Sequence, residues 1–249
     1  NFAPCNGRFP TLISILTMFF LGSAAGLTQS LQSALLLTLT ILLGLGMTFL
    51  VSRLLSATVL KGVPSSFTLE LPPYRRPQLG KVLVRSVFDR TLFVLGRAIT
   101  VAAPAGILLW VMANVGIQGQ SLLAWASGFL DPLGRFMGLD GVILIAFILG
   151  FPANEIVIPI IIMAYMANGS LIEMSSLSAM KDLFLAQGWT LTTAVCTLIF
   201  VLFHWPCSTT CLTIYKETKS IKWTAAAILI PTVCGVVCCS LAAFILRMF

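Results

Sequence analysis

Residues 9–52 read FPTLISILTMFFLGSAAGLTQSLQSALLLTLTILLGLGMTFLVS and contain no Asp, Glu, Lys or Arg. One helix crosses a bilayer with about 20 mostly apolar residues, so this stretch is long enough for two transmembrane helices. We place them at residues 11–27 and 33–54, hinged at the more polar residues 26–32. The stretch therefore predicts an all-α, polytopic membrane protein.

The rest of the chain supports the same fold class. Of its 249 residues 58% are hydrophobic and 9% are charged, whereas an average soluble domain carries about 25% charged residues. This composition excludes an ordinary soluble enzyme and a disordered tail. Further apolar runs predict spans at residues 92–113, 141–172, 190–215 and 223–246, which makes about six in a helix bundle. Residues 121–139 are amphipathic and are predicted to lie at the membrane interface.

Residues 53–97, between the second and third predicted spans, form a basic loop. They hold eight basic and two acidic residues, a balance of +6, which places the loop in the cytoplasm. The net charge of +7 therefore needs no nucleic-acid partner. We expect a short amphipathic helix at about residues 79–90, with Lys81 and Arg85 toward lipid headgroups. The basic residues at 216–222 would face outside in this topology, so either that bias is too small to matter or the fifth segment is re-entrant.

Residues 150–159, GFPANEIVIP, place an acid and two prolines within an apolar stretch. An ionised Glu155 near the bilayer centre costs about 2.5–3.5 kcal/mol. Pro152 and Pro159 each remove a backbone donor and disturb the helix. A broken helix with a buried acid is typical of a transport site, which predicts that Glu155 lies in a polar cavity. The alternative is a protonated Glu155 bonded to a neighbouring helix.

Two Pro-Cys pairs mark the other interruptions, HWPCSTTC at residues 204–211 and APCNGRFP at residues 3–10. Thiolates with a nearby nitrogen or carboxylate suit a late metal such as Fe(II), Zn(II) or Cu(I), and suit Mg(II) poorly. We expect the two pairs to meet in space at facing helix breaks. The predicted transient metal ligands are Cys5, Cys207 and Glu155, with Cys211, His204 and Asn154 as further candidates.

Simpler interpretations compete with these ligand roles. Cysteine often packs as a small hydrophobic residue, and a lone histidine at a helix end is commonly hydrogen-bonded within the protein. Seven cysteines, most of them in apolar stretches, predict free thiols rather than disulfides. We expect only packing roles for Cys196, Cys234, Cys238 and Cys239.

Four stretches together resemble the FeoB ferrous iron transporters. They are Pro4-Cys5-x-x-Arg8-x-Pro10, FTLELPPYR at 67–75, GFPANE at 150–155, and PCST at 206–209 followed by KET at 216–218. The resemblance covers nearly the whole chain and implies paired Gate repeats, with residues 1–249 a fragment that forms a transmembrane transport domain. Two departures are modest: Asn154 stands where many members have a lysine, and Asn6-Gly7 replaces small residues.

The resemblance implies Fe²⁺ transport through the bacterial cytoplasmic (inner) membrane by a multi-pass protein. Fe²⁺ is then the transported ion and no cofactor is permanently bound. The chain itself is expected not to be an enzyme, since GTP would bind an N-terminal G domain that these residues lack. Implied partners are the lipid bilayer, that G domain and the missing membrane segments, and the resemblance also allows a small cytoplasmic Feo protein and a homo-oligomer.

Two rival functions fit the residues less well. A Gate-type nucleoside or small-solute transporter would use Asn154, Glu155 and Thr209 as hydrogen-bonding groups and would not need Cys5 or Cys207. A non-transporting membrane scaffold would tolerate loss of the Glu155 charge. No nucleotide-binding or hydrolase motif such as GxGxxG or GxSxG is present.

Overall fold

The computed structural model describes residues 2–21, 27–58, 78–117, 119–167, 174 and 176–248. The described residues are predominantly helical, which confirms the predicted all-α class. The helices are α1 (Phe9–Phe20), α2 (Leu27–Thr58), α3 (Leu79–Arg85), α4 (Phe93–Asn114), α5 (Leu122–Phe136), α6 (Gly141–Leu149), α7 (Val157–Met166), α8 (Leu177–Ala186), α9 (Leu191–Phe203), α10 (Ser208–Thr218) and α11 (Ile221–Met248). A π-helical segment (Ser86–Leu92) joins α3 to α4, a 3₁₀ turn (Asn154–Ile156) precedes α7, and strands β1 (Gly116–Ile117) and β2 (Gln120–Ser121) pair antiparallel.

Three helical segments in the described part of the chain are long and apolar enough to cross a membrane. They are Ser30–Thr58, Leu191–Thr218 and Ile221–Met248. The pair α5 and α6, bent by 111°, would make a fourth if it is one broken span. The predicted second, fifth and sixth spans fall in the three long segments, whereas the full count of six is not confirmed.

The predicted first span, residues 11–27, is replaced by a half-length helix. Helix α1 has 12 residues, and Leu21 after it has an extended backbone. At 1.5 Å per residue it is about 18 Å long, roughly half the hydrocarbon core. Leu12, Ile15 and Leu16 are buried at helical spacing, and α1 packs on α8 and α9. Helix α1 is therefore too short to cross the bilayer by itself, and the predicted first span is not confirmed.

The predicted fourth span, residues 141–172, is wrong, because this stretch folds back as a helical hairpin. The hydroxyl of Tyr165, near the end of α7, donates to Asp140 Oδ2 at the start of α6. A straight helix would separate these two residues by about 37 Å. Gly150 caps the C-terminus of α6, and a Cβ on it would lie 2.7 Å from Val157 Cγ2, so glycine permits the close return of α7. We call residues 140–165 the hairpin, and residues 150–156 its tip.

Aromatic residues close the open end of the hairpin. Trp189 Nε1 donates to the Tyr165 hydroxyl over 2.7 Å, and the Trp189 ring stacks on Phe184 and Phe19. Asp140 Oδ1 also caps α6 by accepting from Ile143 N. The end of α1 and the start of α9 therefore lie beside the open end of the hairpin, and the other ends of these helices point toward its tip.

Helix α9 packs along α11 through small residues. Cys196 and Cys239 are fully buried, and each thiol donates to the other residue's backbone carbonyl, at 3.7 and 3.3 Å. Gly235 lets the backbone of α11 approach the carbonyl of Phe203. All seven cysteines are free thiols, which confirms that prediction. Cys234 and Cys238 are half-buried on α11.

The predicted amphipathic helix at residues 79–90 is helical in the structure. It does not stand alone, because α3 continues through the π-helical segment into α4. Val82, Leu83 and Phe88 are exposed on it. Most of the remaining basic loop, including the FTLELPPYR string, lies outside the described residues. Its cytoplasmic location stays a prediction.

Candidate functional site

Three interruptions of helical structure meet at one junction. They are the leading segment (residues 2–8) before α1, the hairpin tip (residues 150–156), and the α9–α10 break (residues 204–207). Phe2 anchors the leading segment by an edge-on contact with the ring of Phe203, 5.7 Å between centroids. Each interruption leaves backbone groups without helical partners, and in an apolar surrounding those groups need partners from the protein.

Arg8 satisfies the carbonyls at the end of α9. In a continuous helix the Leu202 carbonyl would accept from residue 206, but Pro206 has no N–H. The Arg8 guanidinium takes that place, with Nη1 donating to Leu202 O over 2.9 Å. Its Nη2 donates to His204 O at 3.0 Å and to Trp205 O at 3.2 Å. The leading segment therefore completes the hydrogen bonding of the α9–α10 break.

Ser208 joins the same break to the hairpin tip. Its backbone N–H would bond the His204 carbonyl in a continuous helix, but it donates to Phe151 O instead, over 2.9 Å. Its hydroxyl donates to Pro152 O at 3.4 Å. The hairpin tip is therefore joined to the α9–α10 break by a main-chain hydrogen bond. The leading segment is joined to the same break by the Arg8 side chain.

Asn154 connects the tip to both other segments. Its amide lies 3.8 Å from Cys5 Sγ and 3.3 Å from His204 Nε2. The other ring nitrogen of His204, Nδ1, lies 3.0 Å from Phe200 O and 2.9 Å from Val201 O. His204 is 1% exposed and both of its nitrogens have protein partners. This arrangement favours the structural interpretation of His204, and ligand roles for His204 and Asn154 stay predictions.

Glu155 lies directly against the leading segment. A Cβ built on Gly7 would be 3.3 Å from Glu155 Cγ and 3.5 Å from Oε1. Glycine at residue 7 therefore leaves room for the Glu155 side chain. The Glu155 side chain is exposed at the hairpin tip, and Glu155 is the acidic residue of the 3₁₀ turn Asn154–Ile156. Contact of its carboxylate with a water-filled cavity stays a prediction.

Cys207 is the N-cap residue immediately before α10 and is half-buried. Its Sγ lies 3.1 Å from Thr209 Oγ1 and 3.2 Å from Thr210 Oγ1. Hydroxyl donors and the positive end of a helix stabilise a thiolate, the form that binds metal. Cys211, one turn further along α10, is buried and its thiol donates to Pro206 O at 3.5 Å. Cys207 is thus the better placed of the two for an ion.

The two Pro-Cys pairs are close in space, as the sequence argument expected. The backbone N–H of Arg8 donates to Cys5 O over 2.9 Å and its guanidinium donates to Trp205 O, beside Pro206, over 3.2 Å. Cys5 is exposed at the leading segment. Among the described residues, however, no three His, Cys, Asp or Glu side chains come together as a metal-binding group. The candidate ligands surround the junction without forming a closed coordination sphere, and their ligand roles stay predictions.

Sequence reasoning missed the role of Arg8. It appeared only as a member of the first Pro-Cys motif, with no function assigned. The available signal was its position, because it is the last charged residue before the 44 uncharged residues 9–52 and lies between Pro4 and Pro10. Its partners, the carbonyls around Pro206, are nearly two hundred residues away in the sequence and could not be inferred from the motif.

The fold and the junction define a helical membrane protein whose apolar helices are interrupted at one common place. Two family matches agree with this class. The Gate family, described as "Nucleoside recognition", matches residues 95–221, just over half of the chain, and "Ferrous iron transport protein B C terminus" matches residues 37–89. The chain therefore belongs to the Gate family, and a further part of it matches the C-terminal family of ferrous iron transport protein B. The Gate match includes both the hairpin tip and the α9–α10 break.

Curated relatives named "Fe(2+) transporter FeoB" match over most of the chain. The protein from Staphylococcus aureus (strain MSSA476) is 30% identical, over 93% of this chain and 33% of its own length. Those from Synechocystis sp. (strain ATCC 27184 / PCC 6803 / Kazusa) and Helicobacter pylori (strain J99 / ATCC 700824) are 28% and 22% identical, over 36% and 41% of their lengths. The chain thus spans between 33% and 41% of the length of these relatives. No solved structure matches the chain.

Proposed function

We propose that this chain is the permease part of a ferrous iron uptake protein, and that Fe²⁺ passes at the junction of the three helix interruptions. The observation that carries the proposal is that the leading segment, the hairpin tip and the α9–α10 break meet. Each brings one of Cys5, Glu155 and Cys207 to the junction. The name of the curated relatives supports Fe²⁺ as the substrate and does not favour the nucleoside alternative.

The chemistry of the junction suits a transported ion better than a resident one. Soft sulfur ligands favour late divalent metals over the more abundant Mg²⁺. Conduction requires ligands that bind strongly enough to replace water and weakly enough to release the ion. Cys5 and Glu155 are exposed and Cys207 is half-buried, so an ion could reach them without unfolding the core.

The setting of the whole protein is part of the same proposal. The chain would lie in the bacterial cytoplasmic membrane as a multi-pass domain and would not itself be an enzyme. GTP would act through a G domain outside these residues. Further membrane segments, a small cytoplasmic Feo protein and self-association would complete the assembly.

Fe²⁺ uptake by the full-length protein in proteoliposomes tests the proposal. We expect C5S and C207S each to reduce uptake strongly, and the double variant or E155Q to abolish it at normal membrane abundance. Cys238→Ser is the matched control, because Cys238 is a half-buried thiol on α11, and it should transport normally. Full uptake by the double variant would contradict ligand roles for both thiols. Uptake of a labelled nucleoside in place of Fe²⁺ would favour the rival transporter.

A further inference from the structure

We propose that Arg8 is a positioning residue that sets the spacing between Cys5 and Cys207. This inference rests on the proposed function and names the residue that builds its site. Arg8 donates to the backbone carbonyl of Cys5 and to that of Trp205, two residues before Cys207. Its role is to hold the leading segment against the α9–α10 break.

The first contact fixes Cys5. The backbone N–H of Arg8 donates to the Cys5 carbonyl over 2.9 Å, which closes a turn from residue 5 to residue 8. This turn ties the backbone of Cys5 to that of Arg8, and α1 starts immediately after it. Movement of Arg8 would therefore carry Cys5 with it.

The second set of contacts fixes the Cys207 side of the junction. The guanidinium donates to the carbonyls of Leu202, His204 and Trp205, at 2.9, 3.0 and 3.2 Å. These acceptors end at Trp205, two residues before Cys207. A guanidinium spans several acceptors with a rigid planar fork, whereas a lysine ammonium is a compact charge at one point. Lysine would keep the charge without holding all three carbonyls.

Burial explains why this contact is not easily released. Arg8 is 3% exposed, and a buried cation is strongly disfavoured unless it is hydrogen-bonded. Its acceptors are the carbonyls at the C-terminal end of α9, the negative end of the helix. Pro206 keeps the Leu202 carbonyl available by supplying no N–H. Arg8 and Pro206, from distant parts of the chain, therefore act together: the proline leaves the Leu202 carbonyl without a helical donor and the arginine supplies one.

Thiol cross-linking in membranes containing the full-length protein tests this role independently of transport. A short bifunctional thiol reagent should join Cys5 to Cys207 in the native protein, as identified by peptide mass spectrometry. The variants are R8K, which keeps the charge, and R8Q, which removes it. Arg247→Gln is the matched control, because Arg247 also donates to a backbone carbonyl, that of Arg135, but between α11 and α5.

We expect R8K and R8Q both to lose the cross-link and to raise the KM for Fe²⁺ by about 10- to 100-fold, as loss of a supporting hydrogen bond does at metal sites. R247Q should retain both properties. A native-like cross-link in R8K would overturn the positioning role, because charge alone would then suffice. Absence of the cross-link in the native protein would also overturn it.

Two further results distinguish the positioning role of Arg8 from a general role in folding and from the proposed transport function. Failure of both Arg8 variants to accumulate, with R247Q normal, would assign Arg8 to folding and overturn a specific role in spacing. An arginine-dependent cross-link in a protein that does not transport Fe²⁺ would support the positioning role and refute the proposed function instead.

Discussion

The hairpin makes a testable prediction through the Tyr165 hydroxyl. This group donates to Asp140 Oδ2 and accepts from Trp189 Nε1 over 2.7 Å, so Tyr165→Phe removes both hydrogen bonds while keeping the ring. Trp189 is 3% exposed, so its indole N–H would have no water to replace the lost acceptor. The change should let the start of α6 and the end of α7 separate locally at the open end of the hairpin.

The expected cost is about 2 kcal/mol. A hydrogen bond to a charged group contributes about 1.5–3 kcal/mol and a neutral one about 0.5–1.5 kcal/mol in soluble proteins. Interhelical hydrogen bonds in membrane proteins average only about 0.6 kcal/mol, with a maximum near 1.7. The Tyr165 hydroxyl makes one hydrogen bond to the Asp140 carboxylate and one to the neutral indole of Trp189. The expected cost of losing both lies between the sum expected in soluble proteins and the sum expected in membrane proteins.

Hydrogen exchange of the full-length protein measures this local opening free energy. We expect backbone amides of α6 and α7 to exchange about 30-fold faster in Y165F, since 1.4 kcal/mol corresponds to a factor of ten. Amides of α11 should be unchanged. The control is Tyr215→Phe, because Tyr215 is 44% exposed on α10. Exchange of α6 and α7 in Y165F within twofold of the native rate would refute this account of the hairpin.

Three further predictions follow from packing and topology. Gly141→Ala should prevent normal accumulation in the membrane, because its Cβ would lie 1.9 Å from Ser127 O. Gly46→Ala is the control, because its added Cβ would meet nothing within 4 Å, and it should accumulate normally. Equal immunoblot signals for the two variants would contradict the expected effect of Gly141→Ala. Cys239, with no exposed surface, should resist maleimide in the native protein by mass spectrometry, and rapid labelling would show that α11 separates from α9. A cysteine replacing Ser66 should react with an impermeant reagent only after permeabilisation, and labelling of intact cells would contradict a cytoplasmic loop.

The sequence predicted the long, continuously apolar helices. Helices α2 and α11 contain the predicted residues 33–54 and 223–246, because a long apolar helix needs only its own composition to be recognised. The break at Pro206 was also predictable, since proline interrupts the helix by local chemistry.

The hairpin could not be predicted in the same way. Two short apolar helices that fold back have the same composition as one helix that crosses the bilayer. The distinction rests on the contact between Tyr165 and Asp140, which are 25 residues apart. Neither residue carries a local signal of that pairing. The half-length α1 escaped prediction for a similar reason, because the apolar sequence continues beyond the point where the helix ends.

The three interruptions depend on one another, and this dependence connects the fold to the proposed transport. An unsatisfied backbone group in a bilayer costs several kcal/mol. The Leu202 carbonyl obtains its donor from Arg8 in the leading segment, and the Ser208 N–H obtains its acceptor from Phe151 in the hairpin tip. The α9–α10 break is therefore favourable only while the other two segments are in place. Since Cys5 and Cys207 are carried by these coupled segments, a movement that separates the segments also breaks the hydrogen bonds of Arg8 to the carbonyls of the α9–α10 break. A ligand set built on this junction would open and close as a unit, which is the behaviour that controlled passage of an ion requires.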